Sequence, residues 1–321
     1  MSRLAAFAEL PLVDVAGLAG DLDEQARVAG ELGRAAREVG FLYVTGHGIA
    51  QARFDALLDA ARNFFALPLE EKMRVYIGRS TNHRGYVPEG EEVYAGGTHD
   101  RKECYDLGFE LPADDPEHLA GNPLLGPNQW PGLSGFREAV SAYYADVFAL
   151  GRRMMRGFAL AMGESATAFD SALTRPPSQL RLVHYPFDPS AADAHGIGAH
   201  TDYECFTLLH ATAPGLEVLN GAGDWIAAAP VPGAFIVNIG DMLELMTNGE
   251  FIATTHRVRK VPEERYSFPL FFNLDYATRI APLPRFLRPG ETARPALVAG
   301  EHLHAQNCQS FRYLKERVAR G

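Results

Sequence analysis

The reading of this chain turns on Gly196-Ile197-Gly198-Ala199-His200-Thr201-Asp202-Tyr203. Small residues lead into the stretch and the aromatic or β-branched Phe206 and Thr207 follow it, a composition that suits a strand ending at a cavity mouth. Residues at i and i+2 of an extended segment project to the same side, so His200 and Asp202 can grip one metal ion together. A second run, Phe251-Ile252-Ala253-Thr254-Thr255-His256-Arg257-Val258, is again β-branched and carries a further histidine. The interval between the two runs leaves room for about three or four strands with their turns. A sheet that folds back on itself then brings His256 to the other two.

Two histidines and one carboxylate are the ligands that hold a mononuclear non-haem iron(II) on one face, with three positions open to dioxygen and an organic chelator. Taken alone, His-x-Asp is a common accident, and a lone histidine in a strand is more often a hydrogen-bonded core residue. Arg265-Tyr266-Ser267, just beyond His256, changes that balance. On a strand, Arg265 and Ser267 put a guanidinium fork and a hydroxyl on one face, which suits the end of a carboxylate. Three elements in this order point to an oxygenase.

On these residues the chain resembles the isopenicillin N synthase-like group of iron(II)- and 2-oxoglutarate-dependent dioxygenases. The likeness extends over nearly the whole chain: Leu10-Pro11-Leu12-Val13-Asp14-Val15, Val39-Gly40-Phe41-Leu42-Tyr43-Val44, Gly46-His47-Gly48, Arg84-Gly85-Tyr86, Pro127-Asn128-Gln129-Trp130-Pro131 and Asn238-Ile239-Gly240-Asp241. It implies iron(II) on His200, Asp202 and His256, and the distal carboxylate of 2-oxoglutarate on Arg265 and Ser267. Tyr185, in Arg181-Leu182-Val183-His184-Tyr185-Pro186, matches a tyrosine that donates its hydroxyl to the cosubstrate in many relatives, although a buried strand aromatic would read the same way. Plant relatives carry asparagine where this chain has Val183, so that part of their pocket is missing.

The implied reaction consumes 2-oxoglutarate and dioxygen, releases succinate and carbon dioxide, and hydroxylates, desaturates or cyclises a small molecule. It requires no protein acid, base or nucleophile beyond the metal centre. Two alternatives stand beside it: a ring-forming iron oxidase that turns Arg265 and Ser267 to its substrate's carboxylate, and a jelly-roll binding protein without catalysis. The loop Gly85 to Tyr94 resembles that of the bacterial ethylene-forming enzyme, where a glutamate matching Glu92 receives the guanidinium of arginine. Glu92 and Tyr94 are accordingly substrate candidates, against the reading of a solvated acidic loop. Ethylene formation itself is not expected.

Composition agrees with a soluble enzyme. The 321 residues carry 30 Lys and Arg against 40 Asp and Glu, a net charge of −10, and no basic tract stands out for a nucleic-acid backbone. No apolar run approaches the roughly 20 residues of a membrane span, and the first residues lack a signal peptide's apolar stretch, which points to the cytoplasm. Cys104, Cys205 and Cys308 show no paired spacing and read as reduced thiols. Cys205 lies near the metal motif, but three positions from Asp202 on a regular strand it faces the other way and packs.

The expected fold is mainly β with flanking helices (α+β) around a double-stranded β-helix, or jelly roll. Residues 1–120 form an N-terminal helical and mixed region. Residues 121–321 hold the jelly-roll core, about 179–276, with a long packing helix and a C-terminal helix, the whole forming one unit. The helices follow from apolar stripes over Asp21 to Arg37, Phe54 to Phe65 and Phe136 to Phe158. Pro214-Gly215, Asn220-Gly221, Gly223-Asp224, Pro232-Gly233 and Asn248-Gly249 punctuate the β-rich part as turns, which favours an antiparallel sandwich over a parallel sheet. Glu301 to Arg317 reads as one closing helix. Trp225, beside a Gly-rich turn, reads as strand packing.

Overall fold

The alternation of the chain between two sheets defines the architecture. The computed structural model describes residues 4–92, 102–187, 195–259, 263–290 and 292–320. Four strands come from the N-terminal part: β1 (Leu12–Asp14), β2 (Phe41–Thr45), β3 (Gly85–Val87) and β4 (Glu103–Gly108). Next come β5 (Gln179–Tyr185), β6 (His195–His200), β7 (Phe206–Ala211) and β8 (Leu216–Leu219). After them run β9 (Trp225–Ala227), β10 (Phe235–Ile239), β11 (His256–Arg259) and β12 (Arg265–Phe272). A small pair, β13 (Arg279–Ile280) and β14 (Leu297–Val298), stands apart.

Strands β5, β7, β10 and β12 lie in an eight-stranded sheet of order β1-β2-β10-β7-β12-β5-β4-β3, while β6, β8, β9 and β11 form a second sheet of order β6-β11-β8-β9. From β5 to β12 the chain crosses repeatedly from one sheet to the other, and this winding is the double-stranded β-helix. Four strands, β7 to β10, separate β6 from β11, within the three or four for which the spacing of the histidines leaves room. The N-terminal strands extend the larger sheet at both of its edges instead of standing apart from it.

The helices cover the outer face of that sheet. Helix α1 (Leu22–Glu38) begins with a capping box: Asp21 accepts from the Asp23 and Glu24 amides at 3.0 Å, and Glu24 accepts from the Asp21 amide at 3.1 Å. Its buried Val28, Leu32 and Ala36 belong to the same core as α2 (Gln51–Phe65) and, after the short α3 (Leu69–Met73) and α4 (Pro116–Leu119), the 26-residue α5 (Phe136–Ala161). Phe136, Val140, Tyr143, Val147, Leu150, Met154 and Phe158 of α5 recur every three or four positions and are buried against the sheet, Tyr143 meeting Phe268 and Phe158 meeting Phe206.

Short α6 (Asp241–Met246) follows β10. The C-terminal segment departs from expectation, being two helices, α7 (Ala299–Ser310) and α8 (Arg312–Arg320), with Phe311 extended between them. Phe311 forms an antiparallel bridge to Glu92, and the Arg312 amide donates to the Glu91 carbonyl at 3.0 Å. These pairings need extended backbone at that point, so the helix stops and restarts. Among the described residues no helix is long and apolar enough to cross a membrane.

Candidate active site

His200, the last residue of β6, lies directly opposite His256, the first of β11, so the strand pairing itself brings the rings to 4.3 Å between centroids. Asp202 follows in the loop, with Oδ1 3.6 Å from Nε2 of each histidine. The ligand atoms of the three lie within 4.8 Å of one another, the only such cluster among the described residues. Nδ1 of His200 donates to the Gly198 carbonyl at 2.8 Å and Nδ1 of His256 to the Thr254 carbonyl at 3.2 Å. A carbonyl only accepts, so the proton sits on Nδ1 and the Nε2 lone pairs are left for a cation.

Asp202 is held just as closely. Its Oδ2 accepts from Asn238 Nδ2 at 2.8 Å and from the Thr207 hydroxyl, which leaves Oδ1 facing the imidazoles. The Asp241 amide donates to the Asp202 carbonyl at 2.8 Å, and a Cβ on Gly240 would come within 2.2 Å of the Glu204 carbonyl. The stretch Asn238-Ile239-Gly240-Asp241 is thereby explained as the support of this loop. Burial, then the neighbouring His256, lowers the His200 imidazole to about 4, in opposition to Asp202. Burial also works against ionisation of Asp202, yet His256, His200, Thr207 and Asn238 together hold it below the usual carboxylate range. Neutral imidazole and ionised carboxylate are the forms that bind a metal.

Cys205 is fully buried in the core and outside this cluster. It packs as expected, although residues 201–205 are loop and bend and not the regular strand on which its orientation was to rest.

At the other end of the cavity Arg265 stands opposite Tyr185, and Ser267 opposite Val183, across β12 and β5. Arg265 is 2 % exposed and its guanidinium lies 4.9 Å from the centre of the Tyr185 ring. Its Nε donates to the Ala213 carbonyl at 3.1 Å, while Nη1 is buried with no hydrogen-bond partner. Burial lowers its pKa and the Tyr185 hydroxyl opposes the shift. Gly196 makes the ring's place: a Cβ there would stand 3.0 Å from Tyr185 Cε1. A buried cation with an unused donor beside a tyrosine and a buried serine fits an incoming carboxylate.

One cavity of about 920 Å³, its open mouth included, joins the two ends. Glu92 lies in its wall, and the competing reading of a solvated acidic loop fails there: at 5 % exposure it accepts from Arg181 Nη1 at 3.0 and 3.1 Å and pairs with Lys102 at 3.0 Å. Arg181 in turn holds Asp106 through Nε and Nη2, both at 2.8 Å, and lies 5.5 Å from the Phe311 ring centre. Tyr94 lies outside the described residues. Trp225, at the start of β9, is half-buried with the Arg257 guanidinium 4.0 Å from its ring centre, away from the cavity lining.

Sequence reasoning gave no role to Thr207, Asn238, Glu204, Gln179, Asn307 or Phe311, all of which line the cavity. The first two carried a signal, a β-branched hydroxyl and an amide in strand-like runs near the Asp202 motif. Nothing local marks the others. Glu204 is buried, and burial first, then Asp202, pushes its carboxyl up to about 8.

Two family profiles match the chain: the non-haem dioxygenase N-terminal region over residues 10–133 and the 2OG-Fe(II) oxygenase superfamily over residues 176–274. A homoarginine-6-hydroxylase of Oryza sativa subsp. japonica is 35% identical, over 92% of this chain and 96% of its own. A 2-oxoglutarate-Fe(II) type oxidoreductase of Emericella nidulans is 34% identical, over 94% and 90%. Among solved structures, a 2OG-Fe(II) oxygenase family protein from Caulobacter crescentus superposes with a TM-score of 0.83 at 33% identity, covering 94% of this chain and 99% of its own. A full-length Neurospora crassa protein in complex with alpha-KG and thymine gives 0.81 at 27%, covering 96% and 99%.

Proposed function

Because the chain belongs to the 2OG-Fe(II) oxygenase superfamily and is an iron(II)- and 2-oxoglutarate-dependent dioxygenase, we propose that it oxidises a small molecule at a metal held by His200, Asp202 and His256, with the cosubstrate's distal carboxylate on Arg265, Ser267 and Tyr185. The observation that carries this assignment is the pairing of an anchored His-Asp-His set with a buried guanidinium that keeps one nitrogen unpaired, in one cavity. Bound iron with 2-oxoglutarate and dioxygen supplies the oxidant for an unactivated C–H bond, the cosubstrate leaving as succinate and carbon dioxide.

The chain's own residues bind, orient and exclude water. Gly198 and Thr254 carbonyls fix the imidazole planes, and Thr207 with Asn238 fixes the carboxylate, so the ligand atoms are in place before a metal arrives. Arg265 and Ser267 receive the carboxylate at the far end and so set which way the cosubstrate points. Phe311, Tyr203 and Phe271 also line the cavity, and we assign to them the part left for substrate. Hydroxylation is the outcome we favour, since the relatives include hydroxylases. A cytoplasmic setting and a small-molecule partner complete the reading. Glu92 contributes to the substrate wall through its pair with Arg181.

The test is stoichiometric. Purified protein reconstituted with iron(II) should release carbon dioxide from 2-oxoglutarate in step with oxygen uptake, and His256→Ala should lose both, since removing one of three ligands opens the site to water. Full iron occupancy and turnover in His256→Ala under limiting iron would overturn the ligand assignment. Substrate-driven oxygen uptake without 2-oxoglutarate would turn Arg265 over to the substrate.

A further inference from the structure

Eight buried side-chain polar atoms among the described residues have no hydrogen-bond partner, and three of them belong to residues lining the cavity of the metal cluster: Arg265 Nη1, Gln179 Nε2 and Asn307 Nδ2. The first is accounted for by the cosubstrate. The other two are not, and an unpaired buried amide requires an explanation. Gln179 is 6 % exposed and Asn307 8 %.

Register places Gln179 away from the cosubstrate. It begins β5, and Tyr185, opposite Arg265, ends it six residues on, about 20 Å by strand rise. A five-carbon diacid anchored at Arg265 does not extend that far. Instead Gln179 pairs across strands with Phe271, Phe271 with Thr207, and Thr207 with Asn238. Thr207 and Asn238 hold Asp202, so Gln179 stands in the same lateral row as the metal's supports, two strands from Thr207, or about 10 Å. Asn307 enters from α7, whose Ser310 also lines the cavity and whose His302 meets the Tyr203 ring edge-on at 6.2 Å, just past Asp202.

The charge of this wall is balanced. Arg181, two residues from Gln179, has Nε and Nη2 on Asp106 and Nη1 on Glu92, and Lys102 pairs with Glu92. Two cations meet two carboxylates, and the unpaired donors are neutral amides. Resting on the oxygenase reading above, we infer that Gln179 and Asn307 are specificity-determining residues that donate to a neutral carbonyl oxygen of the substrate, of the amide, lactam or ureide type.

The test uses manganese(II)-loaded protein with 2-oxoglutarate, titrated calorimetrically with uracil, a neutral ring with two carbonyls, and with orotate, the same ring bearing a carboxylate. Wild type should bind uracil in preference to orotate. Gln179→Met and Asn307→Leu should each weaken uracil at least ten-fold and keep 2-oxoglutarate affinity within about two-fold. Without ligand each should unfold at or above the wild-type Tm, since an unpaired donor has been removed. A Tm several degrees lower would make the amides structural, and weakened 2-oxoglutarate would give them to the cosubstrate; either result overturns the inference. Preference for orotate, or no response to uracil, overturns the neutral-carbonyl class. Failure of the oxygenase reading shows earlier and separately, as wild type that takes up neither metal nor 2-oxoglutarate.

Discussion

Arg181 and Arg265 sit on neighbouring strands, line one cavity and are both more than nine-tenths buried, yet their surroundings are opposite. Arg181 is gripped by two carboxylates, Asp106 and Glu92, through three of its nitrogens. Arg265 meets a carbonyl and an aromatic ring, and one nitrogen is idle. A guanidinium removed from water needs anionic company. Where the chain supplies it, the arginine is part of the wall; where the chain withholds it, we propose that an incoming anion takes the place.

The largest effect should come from breaking the satisfied pair. Arg181→Ala leaves Asp106, with no exposed surface, and Glu92 in the protein interior with less positive charge around them, and should cost about 3–5 kcal/mol of stability. Chemical denaturation of the ligand-free protein measures this. Equal stability of Arg181→Ala and wild type would mean that the pair contributes nothing net.

The complementary change, Arg265→Ala, should leave ligand-free stability nearly untouched, because no carboxylate of the chain is abandoned. Charge-assisted hydrogen bonds contribute roughly 1.5–3 kcal/mol each, so the apparent constant for 2-oxoglutarate should rise about ten- to a few hundred-fold. Arg265→Lys keeps the charge without the fork and should fall between. If Arg265→Ala destabilised the protein as much as Arg181→Ala, the distinction between the two arginines would collapse.

Smallest of all should be Tyr185→Phe, which keeps the ring over Arg265 and removes only a hydroxyl. One hydroxyl bond to a carboxylate lies at the low end of the charge-assisted range, about 1.5 kcal/mol, so 2-oxoglutarate affinity should fall by roughly ten-fold, less than in Arg265→Ala, with kcat little changed. An unaltered affinity would return Tyr185 to the role of a packing aromatic.

The same contrast explains what could be read from the sequence. His200, Asp202 and His256 were legible because strand geometry and ligand chemistry are both local, or nearly so. That Arg265 and Ser267 face one cavity was legible for the same reason, the two being two residues apart on one strand. The fate of Glu92 was not, because its partners Lys102 and Arg181 reach it only through the β4–β5 pairing and no periodicity announces which acid a distant cation will choose. Gln179 and Asn307 have no local signature, since an amide without a partner can be recognised only once every neighbour is in place. The break in the C-terminal helix had the same origin: Phe311 is extended to meet Glu92, 219 residues earlier in the chain.

That last contact bears on the order in which the protein is made. The Tyr313 amide donates to Glu91 Oε1 at 2.8 Å across a sequence separation of 222, and Tyr76 donates its hydroxyl to the other oxygen of the same carboxylate, also at 2.8 Å. Closing a loop of that length carries a large entropy cost, and contacts of such separation form late. All three metal-ligand candidates have been synthesised by residue 256, more than fifty residues before Phe311, which lines their cavity. A chain emerging from the ribosome therefore carries all three candidate ligands before Phe311 exists to complete the wall around them.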